Sequence, residues 1–156
     1  MNEQNKTNEK TLLIVKPDGI KRQLENRILE MTSKNTGLKI KCLKRIKLSS
    51  EVVEKFYSHV KSKVNENLFA KIIEYMCSSE VIAAVLEGED AVLKVRQICG
   101  PTDPLVAKIA SPGSIRALFS NDSLELALKE NRAVQNVVHS SGTREEAERE
   151  ISLLNL

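Results

Sequence analysis

Four short runs with strand character, separated by stretches of helical spacing, do most to limit what this chain can become. The first, "TLLIV" (11–15), is rich in apolar and β-branched residues and stops at "KPDG", a strong turn signal. The second, "LKIKCLKRIKL" (38–48), alternates apolar and basic residues over most of its length, the period of a strand with one face buried and one wet. The third, "VIAAVLEG" (81–88), reads as a buried strand closed by glycine, and the fourth, "VQNVVH" (134–139), ends on a histidine. Between them the spacing predicts a helix over 24–36, with Leu24, Ile28, Leu29 and Met31 inward and Gly37 just past its end. Further helices are predicted over 49–60, opened by serine caps, and over 68–78, with Leu68, Ile72, Tyr75 and Met76 on one side. Another covers 91–99, where Asp90 can cap and Gly100 can close. The last covers 143–154, where Thr143 and Glu146 form a capping box.

The resulting order, β-α-β-α-α-β-α-loop-β-α, contains β-α-β twice. That is the plan of an α+β, ferredoxin-like α/β sandwich: a four-stranded antiparallel sheet covered by helices, expected on one face. The 156 residues suit one domain. With aromatics at only 3%, the core has to come from Ile, Leu, Val and Ala. The formal charge of +3 is compatible with a phosphate-bearing small ligand and too weak to argue for nucleic acid. Cys42, Cys77 and Cys99 are odd in number and widely spaced, which fits reduced thiols in the cytoplasm. No run is long enough to span a bilayer, so no membrane partner is expected.

Several side chains carry possible chemistry. Lys16 stands at a strand end before the "KPDG" turn, where a point charge can meet a phosphate, although this pentapeptide is also ordinary turn chemistry. Arg96 and Arg116 offer planar forks suited to phosphate oxygens, and Thr102 a hydroxyl donor; taken singly, each is as well read as a surface residue. The segment holding Thr102, 100–119, is long and irregular, a length at which loops are usually functional. His139 follows two valines. A partly neutral imidazole there can attack phosphorus, with Asn136 nearby and Glu150 able to order the ring directly or through Ser141. His59, mid-helix, has no such setting.

Taken together, "TLLIVKPDGIKR", "EGEDAVLKVRQICGPTDP", "PGSIRALF" and "NVVHSSGTREEAEREI" resemble the nucleoside diphosphate kinase family in order and spacing, from about residue 11 to 154. The resemblance implies one such domain over 11–156 after a flexible segment over 1–10. It also implies a homo-oligomer (hexamer, tetramer or dimer) and ping-pong transfer of a γ-phosphoryl group from ATP or another nucleoside triphosphate to a nucleoside diphosphate. By match to the family motifs, His139 is the phosphorylated nucleophile. Lys16, Arg96, Thr102, Arg116 and Asn136 hold phosphates and sugar. Tyr57 helps place Lys16 and the histidine, and Ser141 with Glu150 supports the ring. The resemblance implies Mg²⁺ held mainly by the nucleotide phosphates, with no direct protein ligand.

The sequence departs from the family pattern in defined places. Leu68 stands where the family carries a phenylalanine against the base, and "HSSGT" replaces the usual H-G-S-D-S. His59 occupies the place of an acid, and "DSLELALKENR" (122–132) is an inserted helix of a variant subgroup. These departures motivate an alternative, a nucleotide-binding regulatory relative with weak or no turnover. A nucleic-acid module ranks last, because the strand runs carry no exposed aromatics for base stacking.

Overall fold

The computed structural model describes residues 7–156, so residues 1–6 of the expected flexible segment lie outside the described residues. Asn8–Lys10, assigned to that same segment, instead begin the first strand. Asn8 pairs with Glu89 and Lys10 with Glu87, and Asn8 Nδ2 donates to Glu87 Oε1 at 2.8 Å. The polar composition there marks an exposed strand end.

The chain runs β1 (Asn8–Val15), α1 (Pro17–Lys21), α2 (Glu25–Thr36), β2 (Lys39–Lys47), α3 (Ser50–Phe56), α4 (Ser58–Lys61), α5 (Glu66–Met76) and β3 (Glu80–Glu89). It continues with α6 (Ala91–Cys99), α7 (Pro104–Ala110), α8 (Ile115–Phe119), α9 (Leu124–Lys129), β4 (Val138–Ser140) and α10 (Arg144–Leu153). The strands form one antiparallel sheet in the order β2-β3-β1-β4. Among the described residues, no helix is long and apolar enough to cross a membrane.

Helices cover both faces of this sheet, which corrects the expectation of one. Leu13, Val15, Ile82, Ala84 and Leu86 pack with Ile28, Leu29, Val95 and Phe119. Leu12, Ile14, Val81, Ala83 and Val85 pack with Val53, Phe56, Met76 and Leu154. Successive side chains of a strand point to opposite faces, so an unbroken apolar run needs cover on both.

β2 also differs from expectation. It is an edge strand, half-buried only at Cys42 and Ile46, with Leu43 51% exposed. A register shift between Ile40 and Cys42 interrupts its alternation.

The helix ends follow the sequence signals with two exceptions. Gly37 closes α2 at φ 68°, and Ser49 and Asn65 accept from Val52 N and Leu68 N to cap α3 and α5. Asp90, however, does not cap α6. It sits at φ 52°, and Glu9 Oε1 from β1 accepts from Val92 N at 3.0 Å in its place. At α10, Thr143 Oγ1 accepts from Glu146 N at 3.1 Å as expected, but Glu146 Oε2 reaches Gly142 N at 2.8 Å and leaves Thr143 N aside.

Candidate active site

The antiparallel pairing of β1 with β4 brings Lys16 and His139 to one end of the sheet, since Ile14 pairs with His139 and Val15 with Val138. After Lys16 the "KPDG" stretch is not a bare turn but the start of α1, with Pro17 pre-set at the first helical position. Gly19 matters here for what it lacks. A Cβ would stand 2.8 Å from Val15 Cγ1 and 3.2 Å from Val137 O. Gly19→Ala is therefore expected to destabilise the protein by about 1–3 kcal/mol, seen as a lower urea midpoint at unchanged m-value.

The approach to His139 is kinked. Val137 has φ 64°, an outlier for a β-branched residue. Three hydrogen bonds hold it: Lys16 N donates to Val137 O at 2.8 Å, Val137 N to Asp18 Oδ2 at 3.0 Å, and Val138 N to Asn136 O at 2.8 Å. The last closes a three-residue γ-turn of the rare positive-φ kind. This kink is why β4 has three residues where a run of six was predicted. Asp18 is itself buried; its Oδ1 accepts a short bond from the Tyr75 hydroxyl, whose oxygen in turn accepts from Asp18 N at 3.2 Å. Burial and the Asp18 carboxylate push the Tyr75 hydroxyl far above its usual pKa.

His139 Nε2 lies 2.9 and 3.1 Å from the two carboxylate oxygens of Glu150, a residue only 2% exposed. A carboxylate can only accept, so in the neutral ring Nε2 carries the hydrogen and Nδ1 keeps its lone pair. Phe56 and Tyr57 set their rings edge-on against the imidazole, at centroid distances of 4.7 and 6.0 Å. Among the described residues, Nδ1 has no hydrogen-bond partner.

The ring lines a cleft of about 850 Å³ together with Lys16, Tyr57, Leu68, Arg96, Thr102, Arg116 and Asn136. Asn136 joins its walls: Oδ1 accepts from Lys16 Nζ at 2.8 Å, and Nδ2 donates to Thr102 O at 2.9 Å. Arg116 donates from Nη1 to Gly100 O at 2.7 Å and from Nη2 to Val138 O at 2.9 Å, while its buried Nε has no partner among the described residues. Arg96, more exposed, donates to Gly142 O at 3.2 Å.

Burial pulls the Lys16 ammonium down from its ordinary 10.5 to about 8, against the attraction of Asp18. Between about 8 and 10.5 the unfolded chain therefore holds more protons than the native one. Stability of the ligand-free protein should rise with pH across that window through this group, and Lys16→Met should remove that part of the rise. Urea midpoints of both proteins at pH 7.5 and 10 (roughly the two sides of the window) check the sign.

The acids around the cleft are committed: Asp18 to Val137 and Tyr75, Glu150 to His139, and Glu146 to Gly142 N. Among the described residues, no group of three or more His, Cys, Asp or Glu is placed to hold a metal ion. The cation-rich lining fits a metal that arrives on phosphate oxygens rather than one held by carboxylates.

A family model described as nucleoside diphosphate kinase matches residues 9–155. The chain belongs to the nucleoside diphosphate kinase family. It is 40% identical to the nucleoside diphosphate kinase of Staphylothermus marinus, over 94% of this chain and 92% of that one. A solved nucleoside-diphosphate kinase of Borrelia burgdorferi, a transition state mimic with bound vanadate and ADP, superposes with TM-score 0.85 at 32% identity, over 94% of this chain and 86% of that one. An NDP kinase of Pyrobaculum aerophilum gives TM-score 0.82 at 36% identity, over 94% and 95% of the two chains.

Within this nucleoside diphosphate kinase frame, eight of the ten expected site residues line the cleft, and the other two, Ser141 and Glu150, are buried outside its lining. Of those two, Glu150 touches the imidazole directly. Ser141 does not bridge them, and among the described residues its buried hydroxyl has no partner. Tyr57 sets its ring against His139, and the ring of Tyr75 stands beside Lys16 with its centroid 5.5 Å from Nζ. Three residues were missed by the sequence reading: Asp18, Tyr75 and Phe56. Asp18 lies inside a quoted motif but reads as turn chemistry, Tyr75 reads as a core position of its helix, and Phe56 lies within a predicted helix without any local signal of its own. Their roles depend on contacts 57, 119 and 83 positions away in sequence, which local periodicity does not show.

Proposed function

We propose that the protein transfers the γ-phosphoryl group of a nucleoside triphosphate to a nucleoside diphosphate, by a ping-pong route through phosphorylated His139. The observation that carries this reading is the pairing of His139 Nε2 with Glu150, which leaves Nδ1 as the uncommitted nucleophile in a cleft lined by Lys16 and Arg116. In the first half-reaction the Nδ1 lone pair forms a bond to the γ-phosphorus. The bond to the β–γ bridging oxygen breaks, and its electron pair leaves on the nucleoside diphosphate. In the second, a terminal β-phosphate oxygen of another diphosphate forms the new P–O bond, the N–P bond breaks, and its pair returns to Nδ1.

Glu150 takes no proton in either half; it fixes the tautomer and faces the charge that builds on the ring. Lys16, steadied by Asn136, and Arg116 neutralise the phosphates, with Arg96 and Thr102 flanking them. Mg²⁺, when bound on the phosphates, supplies further charge neutralisation there. Leu68 covers a face of the base. None of these groups reads a base edge, so discrimination among nucleotides should be poor.

We further place the protein in the cytoplasm as a homo-oligomer, a hexamer, tetramer or dimer. The exposed Leu105, Val106 and Ile109 of α7 support assembly, and light scattering of the purified protein counts the subunits.

The test of activity is direct. Incubation with γ-labelled ATP should put acid-labile label on the peptide spanning 136–151, and a chase with GDP should move it to GTP. Acid-stable label, or label elsewhere, sinks this reading. Nucleotide binding without exchange would favour the regulatory alternative that Leu68 and "HSSGT" motivate.

A further inference from the structure

The inserted segment takes no part in the phosphate chemistry above, yet it forms a wall of the same cleft. Its ends are stapled together. Arg132 donates to Asp122 Oδ2 and Oδ1 at 2.6 and 2.8 Å and to Glu130 at 2.6 Å, and Gln135 N also donates to Asp122 at 2.8 Å. The Arg132 hydrogen bonds hold the Asp122 carboxyl down at about 2, so the staple stays charged at any physiological pH. From the far end, Asn131 at φ 50° donates through Nδ2 to Asn67 Oδ1 at 2.7 Å, reaching the residue next to Leu68 on α5. Helix α9 is thus anchored both to its own base and to the helix that carries Leu68.

Its side chains are sorted by direction. Ala127 is buried, and Leu126 faces a second, smaller cleft. Leu124 and Leu128, one helical turn apart, both line the main cleft, although they are 37% and 62% exposed. Wet leucines on a pinned helix are unfavourable unless an apolar surface comes to cover them. The cleft they line is continuous with the one that holds Lys16, Arg116 and His139, and its volume suits one nucleotide. A ligand whose phosphates meet those cations would carry its base outward, toward α5 and α9.

We propose that Leu124 and Leu128 of α9, with Leu68 of α5, form an aliphatic clamp on the nucleobase, in which the inserted helix supplies ring-face contact that Leu68 alone does not. This rests on the nucleotide-binding reading above. The clamp grips ring faces and reads no edges, so it should leave adenine and guanine alike.

The experiment compares ADP with ribose 5-diphosphate, which keeps the sugar and phosphates and lacks the base, by calorimetric titration. In Leu124→Ser/Leu128→Ser, ADP affinity should fall about tenfold while ribose 5-diphosphate affinity stays within about twofold. Asn131→Ala, which frees α9 from α5, should weaken ADP in the same selective way. Leu126→Ser, an exposed leucine of the same helix that faces the smaller cleft instead, should change neither. Both serine positions are already solvent-exposed, so the double variant should fold, and circular dichroism confirms it. Unchanged ADP affinity in the double variant, or equal weakening of both ligands, overturns the clamp while leaving label transfer to His139 intact. Failure of the wild type to bind ADP at all would overturn the clamp together with the nucleotide reading.

Discussion

His139→Gln should give a folded protein that takes up no acid-labile phosphate and exchanges phosphate between nucleotides at least about 10⁴-fold more slowly than the wild type. Glutamine keeps much of the imidazole's length and can still donate from its amide toward Glu150, so the buried carboxylate is not stranded. What it lacks is a basic nitrogen lone pair able to form a bond to phosphorus. The phosphate grip of Lys16, Asn136 and Arg116 is untouched, so ADP affinity should change little, which separates lost chemistry from lost binding. Glu150→Gln makes the graded comparison. The nucleophile remains and its tautomer is still held by an amide oxygen, but no negative charge faces the ring, and turnover should fall by about 10–100-fold. Equal losses in the two variants would mean that the carboxylate does more than orient and stabilise. Label persisting in His139→Gln would remove the histidine from the mechanism.

What the sequence made legible follows from how local each signal is. The four strands and their order could be read because each is a contiguous run with its own punctuation. The cover on both faces was also written into "LLIV" and "IAAVL", since residues of both parities are apolar. Element order alone implies an antiparallel sheet with helices on one face, whereas the pattern within each strand requires cover on both. β2 misled in the opposite sense. Its alternation promised a buried face, but an edge position and a register shift leave Leu43 in solvent. Asp90 is the adjacent candidate to cap α6, while the carboxylate that accepts from Val92 N belongs to Glu9, 83 residues away. In the site, Glu150 is legible from the chain as a partner for His139, whereas other supporting groups are not. Lys16 and His139 stand out from the chain itself, whereas the contacts around them through Asp18, Tyr75 and Phe56 exist only once α1, α3, α5 and β4 have been brought together.

Asp18→Ala should therefore be far more damaging than a turn residue has any right to be. The change removes the acceptor for the buried Val137 N and for the hydroxyl of the half-buried Tyr75, at about 1–3 kcal/mol each. It also releases the backbone at Val137, where a valine is kept at φ 64° only because Lys16 N, Asp18 Oδ2 and the γ-turn jointly over-determine it. The expected loss is about 3–5 kcal/mol, a large share of what a domain this size possesses. Because Val137 stands two residues before His139, its relaxation re-aims the imidazole. A misplacement on the order of 1 Å should cost turnover about 10²-fold even in the fraction that stays folded. Asp18→Asn keeps an oxygen for Val137 N and an amide for the tyrosine oxygen, and should recover most of the stability. Val137→Gly gives the decisive comparison, since glycine adopts φ 64° without strain. Added to Asp18→Ala, it should restore part of the lost stability but not the turnover, because the kink is then permitted rather than enforced. Turnover in Asp18→Ala equal to that of the wild type, measured per folded molecule, would show that the strained valine does not aim the histidine.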